Sequence, residues 1–390
     1  MIVFKVKNIK KVILASMFWP VTISSITSNY LFLLIPFFSK LDLSNKRKFT
    51  EVSFFIFFLI ASWLLGIIWF AEAGYILRGS ASSLAIILPF TLLLFILPFN
   101  LSMIKRSIVI VCFIYSLLVI FHVVYSLNIP FFYADGAKSL LQPFVPDWPQ
   151  RYIILLGIAL HLLLHKLKTK VSLFGLLCFM VISYAFFMSF TRTAYLSLII
   201  SMMYYLVPLK PRFNRKALKY LLISTLVLIL IFIYDYYNRQ LSLQIFDKIL
   251  NKFVEALGAF NEGTGEKSVS ERFQTWKEIL RFTFVNNPIS GTGGIGAGVL
   301  KSQNMIDIPN NSAHSQYFDI FLRFGILGLV FFFYFFKRVF LFFGKEIKAC
   351  IIFILLFSIT HETLKLTYVM LFFILMINLS YDRKNTAVEL

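Results

Sequence analysis

His314 stands in AHSQYFDIFLRFGILG, residues 313–328, where a long polar stretch gives way to an apolar run paced by Gly325 and Gly328. Histidine exchanges a proton near neutral pH and is the commonest general base, so proton transfer is the chemistry this position offers. Alone at an interface, such a histidine is more often structural. Two arginines join it as candidates for holding an anion. Arg192, in SFTRTAYLSL, lies at the edge between two apolar runs. An ionisable side chain at that depth is a functional hypothesis by default, with snorkelling to headgroups as the competing explanation. Arg272 follows Ser268 and Glu271, which read as a capping box opening a helix at SVSERFQTWKEIL. In the first turn of that helix the macrodipole disfavours a cation by about 0.3–1 kcal/mol, which makes sense beside a bound anion. A solvated arginine offset by Glu271 and Glu266 is the plainer alternative.

Other candidates are weaker. His122 lies inside an apolar run, and His161 and His165 have metalloprotease spacing without the glutamate that motif needs. His361 with Glu362 forms a candidate auxiliary pair on an outer turn. GTGGIGAG, residues 291–298, satisfies G-x-G-x-x-G but follows no strand and has no Lys-Ser or Lys-Thr after it. It reads as a flexible turn that lets backbone approach a ligand closely. Glu72, Asp135 and Asp147 are isolated from one another, so the expectation is chemistry without a metal or other cofactor.

The elements that must position these residues are membrane helices. Of 390 residues 59% are hydrophobic and only 14% charged, against roughly 25% charged in a soluble domain, which points to a polytopic membrane protein. Cys112, Cys178 and Cys350 lie in or beside apolar runs, odd in number and without paired spacing, so no disulfide framework is expected. Apolar runs fall at 12–38, 51–71, 83–99, 107–127, 150–164, 171–189, 193–208, 218–234, 318–336, 346–360 and 366–380. The first reads as a retained span and not a removed signal peptide.

Positive charge orients them. Of 38 Lys and Arg, 24 fall before residue 12 or within 39–50, 105–106, 166–170, 210–219, 337–348 and 383–384, the alternate connections expected on the cytoplasmic side. The net charge of +20 is then mainly a property of that face, suited to anionic lipid headgroups and not to nucleic acid. Both the N-terminus and 39–50 look cytoplasmic, so the 12–38 run should cross an even number of times, as a short hairpin broken near Pro20 and SSITSN. The expectation is an all-α polytopic protein of about twelve transmembrane segments with both termini inside. Residues 1–234 form an N-terminal transmembrane region, 235–317 a large helical periplasmic loop, and 318–390 the C-terminal transmembrane helices. Within the loop, 239–257 places Phe246, Ile249, Leu250, Phe253, Val254 and Leu257 on one helical face. A twelve-span transporter or flippase is the alternative from another class. Its candidate residues would sit at midplane in repeated halves, whereas here they gather at one face.

Together these residues resemble the bacterial O-antigen ligase and polymerase superfamily. The likeness is carried by Arg192 with Leu196 as R-x-x-x-L, by Arg272 in ERFQTWKEILRFTFVNNPISGTGGIG, and by His314 and Ser315 followed by Gly325 and Gly328. The resemblance implies a C-type glycosyltransferase architecture in the bacterial inner membrane, with the active site facing the periplasm. It implies an undecaprenyl-diphosphate-linked polysaccharide donor and a lipid A-core acceptor. By the same resemblance Arg192 and Arg272 hold the leaving diphosphate, His314 serves the acceptor hydroxyl with inversion at the anomeric carbon, and Ser315, Gly325 and Gly328 belong to the substrate site. Polymerases of the superfamily often carry two arginine-rich outer loops, whereas loop 128–150 here holds only Lys138.

Overall fold

Long runs of Leu, Ile, Val and Phe satisfy their backbone groups most simply within helices, which a lipid environment makes obligatory. The computed structural model describes residues 6–18, 22–23, 26–27, 33–37, 39–70, 87–125, 149–187, 191–206, 267–309, 311–363 and 367–381. In chain order the elements are α1 (Val6–Phe18), β1 (Thr22–Ile23), β2 (Ile26–Thr27), β3 (Lys40–Leu41), α2 (Lys46–Phe70), β4 (Phe95–Ile96), α3 (Leu101–Tyr125), α4 (Pro149–Thr169), α5 (Leu173–Phe187), α6 (Arg192–Leu206), α7 (Lys267–Asn286), α8 (Ala297–Ser302), α9 (Gln316–Phe342), α10 (Lys345–Phe357) and α11 (Thr367–Tyr381). The expected amphipathic helix 239–257, the outer loop with Lys138, the side chain of His122, and Arg383 and Lys384 lie outside the described residues.

Among the described residues four helical stretches are long and apolar enough to cross a membrane: Lys46–Ile68, Leu101–Ile120, Tyr152–Thr169 and Gln316–Phe342. Three shorter apolar ones, Leu173–Phe187, Thr193–Leu206 and Val369–Tyr381, reach only about 20 Å each against a hydrocarbon core of about 30 Å. In the first run α1 ends at Phe18, before Pro20, and β1 pairs antiparallel with β2, so the helix is interrupted where the sequence reading expected a break. One expected run differs. Run 83–99 is not one helix to its end, because Leu92–Leu94 tightens into a 3-10 turn and β4 pairs with β3.

α3, α4 and α5 pack on one another, α10 lies against α4 and α6, and α9 contacts α2, α7, α10 and α11. The phenylalanines divide accordingly. Phe55, Phe90, Phe332 and Phe335 are buried, whereas Phe37, Phe54, Phe57 and Phe174 face outward. Cys112, Cys178 and Cys350 are buried and free.

Polar anchors collect toward one end of α9. Glu51 of α2 accepts hydrogen bonds from Arg47 (2.6 Å), Tyr334 (2.7 Å) and Tyr381, and Arg338 lies 3.4 Å from it while stacking over the Tyr381 ring at 3.5 Å. Lys105 pairs with Glu346, whose other carboxylate oxygen is 3.4 Å from His165 Nε2. Lys48, fully buried, reaches Asp42 at 2.6 Å and Asn378 at 3.3 Å. Burial works against ionisation of Asp42, but Lys48 outweighs it and the carboxyl is held below its ordinary value. These contacts join basic connections that are far apart in sequence, some 30 Å along α9 from its N-terminal end.

A break in α9 shapes that opposite end. Gly325 sits at φ 62°, so the amides of Ile326 and Leu327 cannot reach the carbonyls of Leu322 and Arg323. Residues 288–294 replace all four partners. Ile326 N–H donates to Pro288 O (2.9 Å) and Leu327 N–H to Ile289 O (3.2 Å), while Thr292 N–H donates to Leu322 O (2.8 Å) and Gly294 N–H to Arg323 O (2.9 Å). The glycine-rich stretch is therefore no flexible turn at a ligand. Residues 291–297 are buried, and a Cβ on Gly293 would collide with Ser62 O and Gly66 of α2.

Candidate functional site

α7 presents Thr275, Ile279 and Thr283 inward toward α9, because positions four apart share one helical face. Ile279 meets Ile295, Leu300, Ile308, Ala313 and Leu322 in a small apolar core separate from the membrane bundle. That core fixes the segment leading to His314. Lys301 Nζ donates to Pro309 O at 2.7 Å and ties down the loop on the way.

His314 itself adopts φ 51°, the left-handed region that non-glycine residues rarely occupy and that concentrates at functional sites. Its neighbours are held from two sides. Trp276 of α7, stacked on Phe318 with ring centroids 5.0 Å apart, donates its indole N–H to Ala313 O at 2.8 Å. Glu362, in the turn after α10, accepts the Ala313 N–H at 2.7 Å. The same turn takes the Gln316 N–H on Ser358 O (2.9 Å) and His361 O (3.1 Å).

Arg272 and His361 complete the cluster. His361 stacks on Phe357 with centroids 4.2 Å apart and 11° between planes, and its Nδ1 is 2.9 Å from Thr360 Oγ1. Burial pushes the His361 imidazole down to about 4, and the nearby Arg272 and His314 push the same way. The structure thus brings together Arg272, His314 and the auxiliary pair His361 and Glu362. It leaves His361 neutral beside a permanent cation, an environment suited to an anion.

A consequence for stability follows from that depression. Between about 6.5 and about 4 the unfolded chain takes up a proton that the folded site refuses. The His361 contribution is complete above about pH 6.5 and drains as pH falls toward 4, by up to about 3 kcal/mol. Thermal unfolding of the detergent-solubilised protein should shift downward between pH 7.5 and 5, and His361→Gln should lose part of that shift. An identical pH dependence in the variant would remove His361 as its source.

The remaining sequence candidates fall differently. α6 begins at Arg192, but its side chain lies outside the described residues, as does Glu266. α7 begins at Lys267, so Ser268 is inside the helix and Arg272 sits in the second turn. That weakens the argument from the helix dipole, which fades beyond the first turn. Ser315 is buried as the residue preceding α9, its Oγ 3.5 Å from Ser358 O. What approaches Gly325 closely is the backbone of Pro288 and Ile289, and what approaches Gly328 is Phe324 and Ile320.

Sequence reasoning passed over Trp276 and Arg323. Arg323 is buried, bonded through Nε to both oxygens of Asp319 at 3.0 Å and through Nη1 to Gly294 O. The i, i+4 spacing of Asp319 and Arg323 was the available signal. Beneath them a cavity of about 50 Å³ runs between α2, α9 and α11, lined by Phe55, Phe90, Phe332 and Phe373 with Asp319 and Arg323 among its polar contributors. Among the described residues no three His, Cys, Asp or Glu side chains are grouped to hold a metal ion.

Residues 176–333 match a family model described as O-antigen ligase. The matched stretch contains Arg192, Arg272 and His314, and over it the chain is similar to that family. No curated protein matches the chain significantly.

Proposed function

We propose that this chain, whose central stretch matches the O-antigen ligase family model, transfers polysaccharide from undecaprenyl diphosphate to a sugar hydroxyl of a lipid A-core acceptor. The reaction takes place at the periplasmic face of the inner membrane. The observation that carries the reading is the convergence of Arg272, His314 and His361 at the N-terminal end of α9, where burial, with the Arg272 and His314 charges beside it, holds His361 neutral. Arg272, with Arg192, holds the diphosphate. A guanidinium binds phosphate oxygens bidentately and stays charged, and it stabilises the charge that develops as the C1–oxygen bond to phosphate breaks. No divalent ion is needed for that task.

His314 positions the acceptor hydroxyl and takes its proton as the oxygen attacks C1 from the face opposite the diphosphate, which inverts the anomeric centre. The basic connections meeting near Glu51 and Glu346, at the other end of α9, support a cytoplasmic assignment for that end and a periplasmic one for the site. Both termini are then cytoplasmic.

Deleting the gene in the source bacterium and analysing both the envelope polysaccharide and the undecaprenyl-linked pool tests this reading. Core lipid without long chains, with full-length lipid-linked polymer accumulating, is the expected result. Core lipid capped by a single repeat would make the enzyme a polymerase, and an unchanged profile would return the chain to transport.

A further inference from the structure

We propose that Trp276 and Glu362 are positioning residues that together clamp the two polar groups of Ala313 and so hold His314 in its left-handed conformation. The inference rests on the reading of His314 as the acceptor-side group.

The geometry leaves little freedom at this point. Ala313 is fully buried. Its carbonyl accepts the Trp276 indole N–H at 2.8 Å from the α7 side, and its amide donates to Glu362 Oε1 at 2.7 Å from the α10 side. On the far side of His314, the Gln316 amide is taken by Ser358 O and His361 O. His314, whose own amide donates to Ser312 Oγ at 3.3 Å, therefore lies in a backbone pinned before and after it, and it is the residue that carries the strained φ of 51°. A non-glycine residue persists in that region only where its surroundings over-determine it.

The clamp also ties α7 to the turn after α10 through one residue. Trp276 lies one helical turn from Arg272 on α7, and Glu362 adjoins His361. Holding Ala313 between them sets His314 at one distance from the arginine that would hold the leaving group and from the neutral imidazole beside it. Glu362 acts here through an acceptor oxygen and not through its charge, and Trp276 acts through its N–H and not through its ring, which stays stacked on Phe318 in a phenylalanine variant.

Those two distinctions make the test. The full chain is purified in detergent and assayed with a polyprenyl-diphosphate-linked oligosaccharide and a lipid A-core acceptor. Glu362→Gln keeps an oxygen acceptor and should stay within about threefold of wild-type kcat, whereas Glu362→Ala and Trp276→Phe should each lower kcat roughly tenfold with KM little changed, the scale of one lost hydrogen bond. Glu362→Gln falling as far as Glu362→Ala would overturn the clamp in favour of a charge effect. An unchanged kcat in Trp276→Phe would overturn it too.

The reaction rate of His314 with diethyl pyrocarbonate, read by peptide mass spectrometry, gives a second measure that needs no turnover. It should change in Glu362→Ala and Trp276→Phe and not in Glu362→Gln. If the wild type transfers no sugar, the functional reading fails, and the labelling pattern alone still decides whether the clamp holds His314. The same labelling rate in all four proteins would end it.

Discussion

Replacing Arg272 by lysine should lower kcat/KM for the lipid-linked donor at least a hundredfold, about 3 kcal/mol of transition-state stabilisation. The substitution keeps the charge and discards the fork. An ammonium offers a phosphate one point of attraction, whereas a guanidinium spans two oxygens in one plane, and the two bonds matter most as the diphosphate takes on the charge of the breaking bond. The lysine variant also separates two roles of Arg272. Its charge is one of the causes that keep His361 low, and lysine preserves that field, so the pH profile should survive while the rate does not. Arg272→Gln removes both and should let the His361 imidazole rise from about 4. Steady-state kinetics of the three proteins in detergent decide the matter, and a lysine variant at wild-type rate would refute the diphosphate clamp.

What could be read from sequence was residue type in local context. Arg272 and His314 stood out because a cation at a helix start and a histidine at a membrane edge are each locally odd. Their convergence was not readable. It depends on His361 and Glu362 returning after the whole of α9 and α10, some fifty residues downstream of His314, and no periodicity reports a contact of that span. Trp276 was invisible for the same reason, since its partner is a main-chain carbonyl that any residue supplies.

The errors share a physical cause as well. Hydropathy reports that a segment is buried and not how its backbone is satisfied, so run 83–99 read as a span although Phe95–Ile96 pairs with Lys40–Leu41. The helix start at Lys267 in place of Ser268 is an ordinary boundary shift, yet it moves Arg272 out of the turn on which the dipole argument depended. The reading of GTGGIGAG as a flexible turn missed what its backbone does, because the break it serves lies about thirty residues away in α9.

That break supplies the largest expected effect on folding. Gly325→Ala should destabilise the protein by at least about 3 kcal/mol, because an alanine at positive φ costs about 1–2 kcal/mol before any contact is counted. The added methyl also meets Ile289 O, with Pro288 O at 2.6 Å. Neither neighbour is a side chain that can rotate away. Both are the carbonyls that receive the Ile326 and Leu327 amides, so the methyl displaces the groups that make the break tolerable. Pushing residues 288–289 outward strands two amides in α9 and, through Thr292 and Gly294, two carbonyls as well; in a buried apolar setting each unsatisfied group costs more than the methyl. The resemblance placed Gly325 in the substrate site, and the two roles predict different outcomes. A packing role means less protein in the membrane, a lower unfolding temperature and faster proteolysis, whereas a substrate role means normal amounts of a stable, inactive protein. Membrane yield, thermal unfolding and limited proteolysis of Gly325→Ala, compared with Gly344→Ala, where no atom lies within 4 Å of an added Cβ, distinguish them. A stable and fully folded Gly325→Ala protein would show that the 288–294 insert is not what holds α9 together.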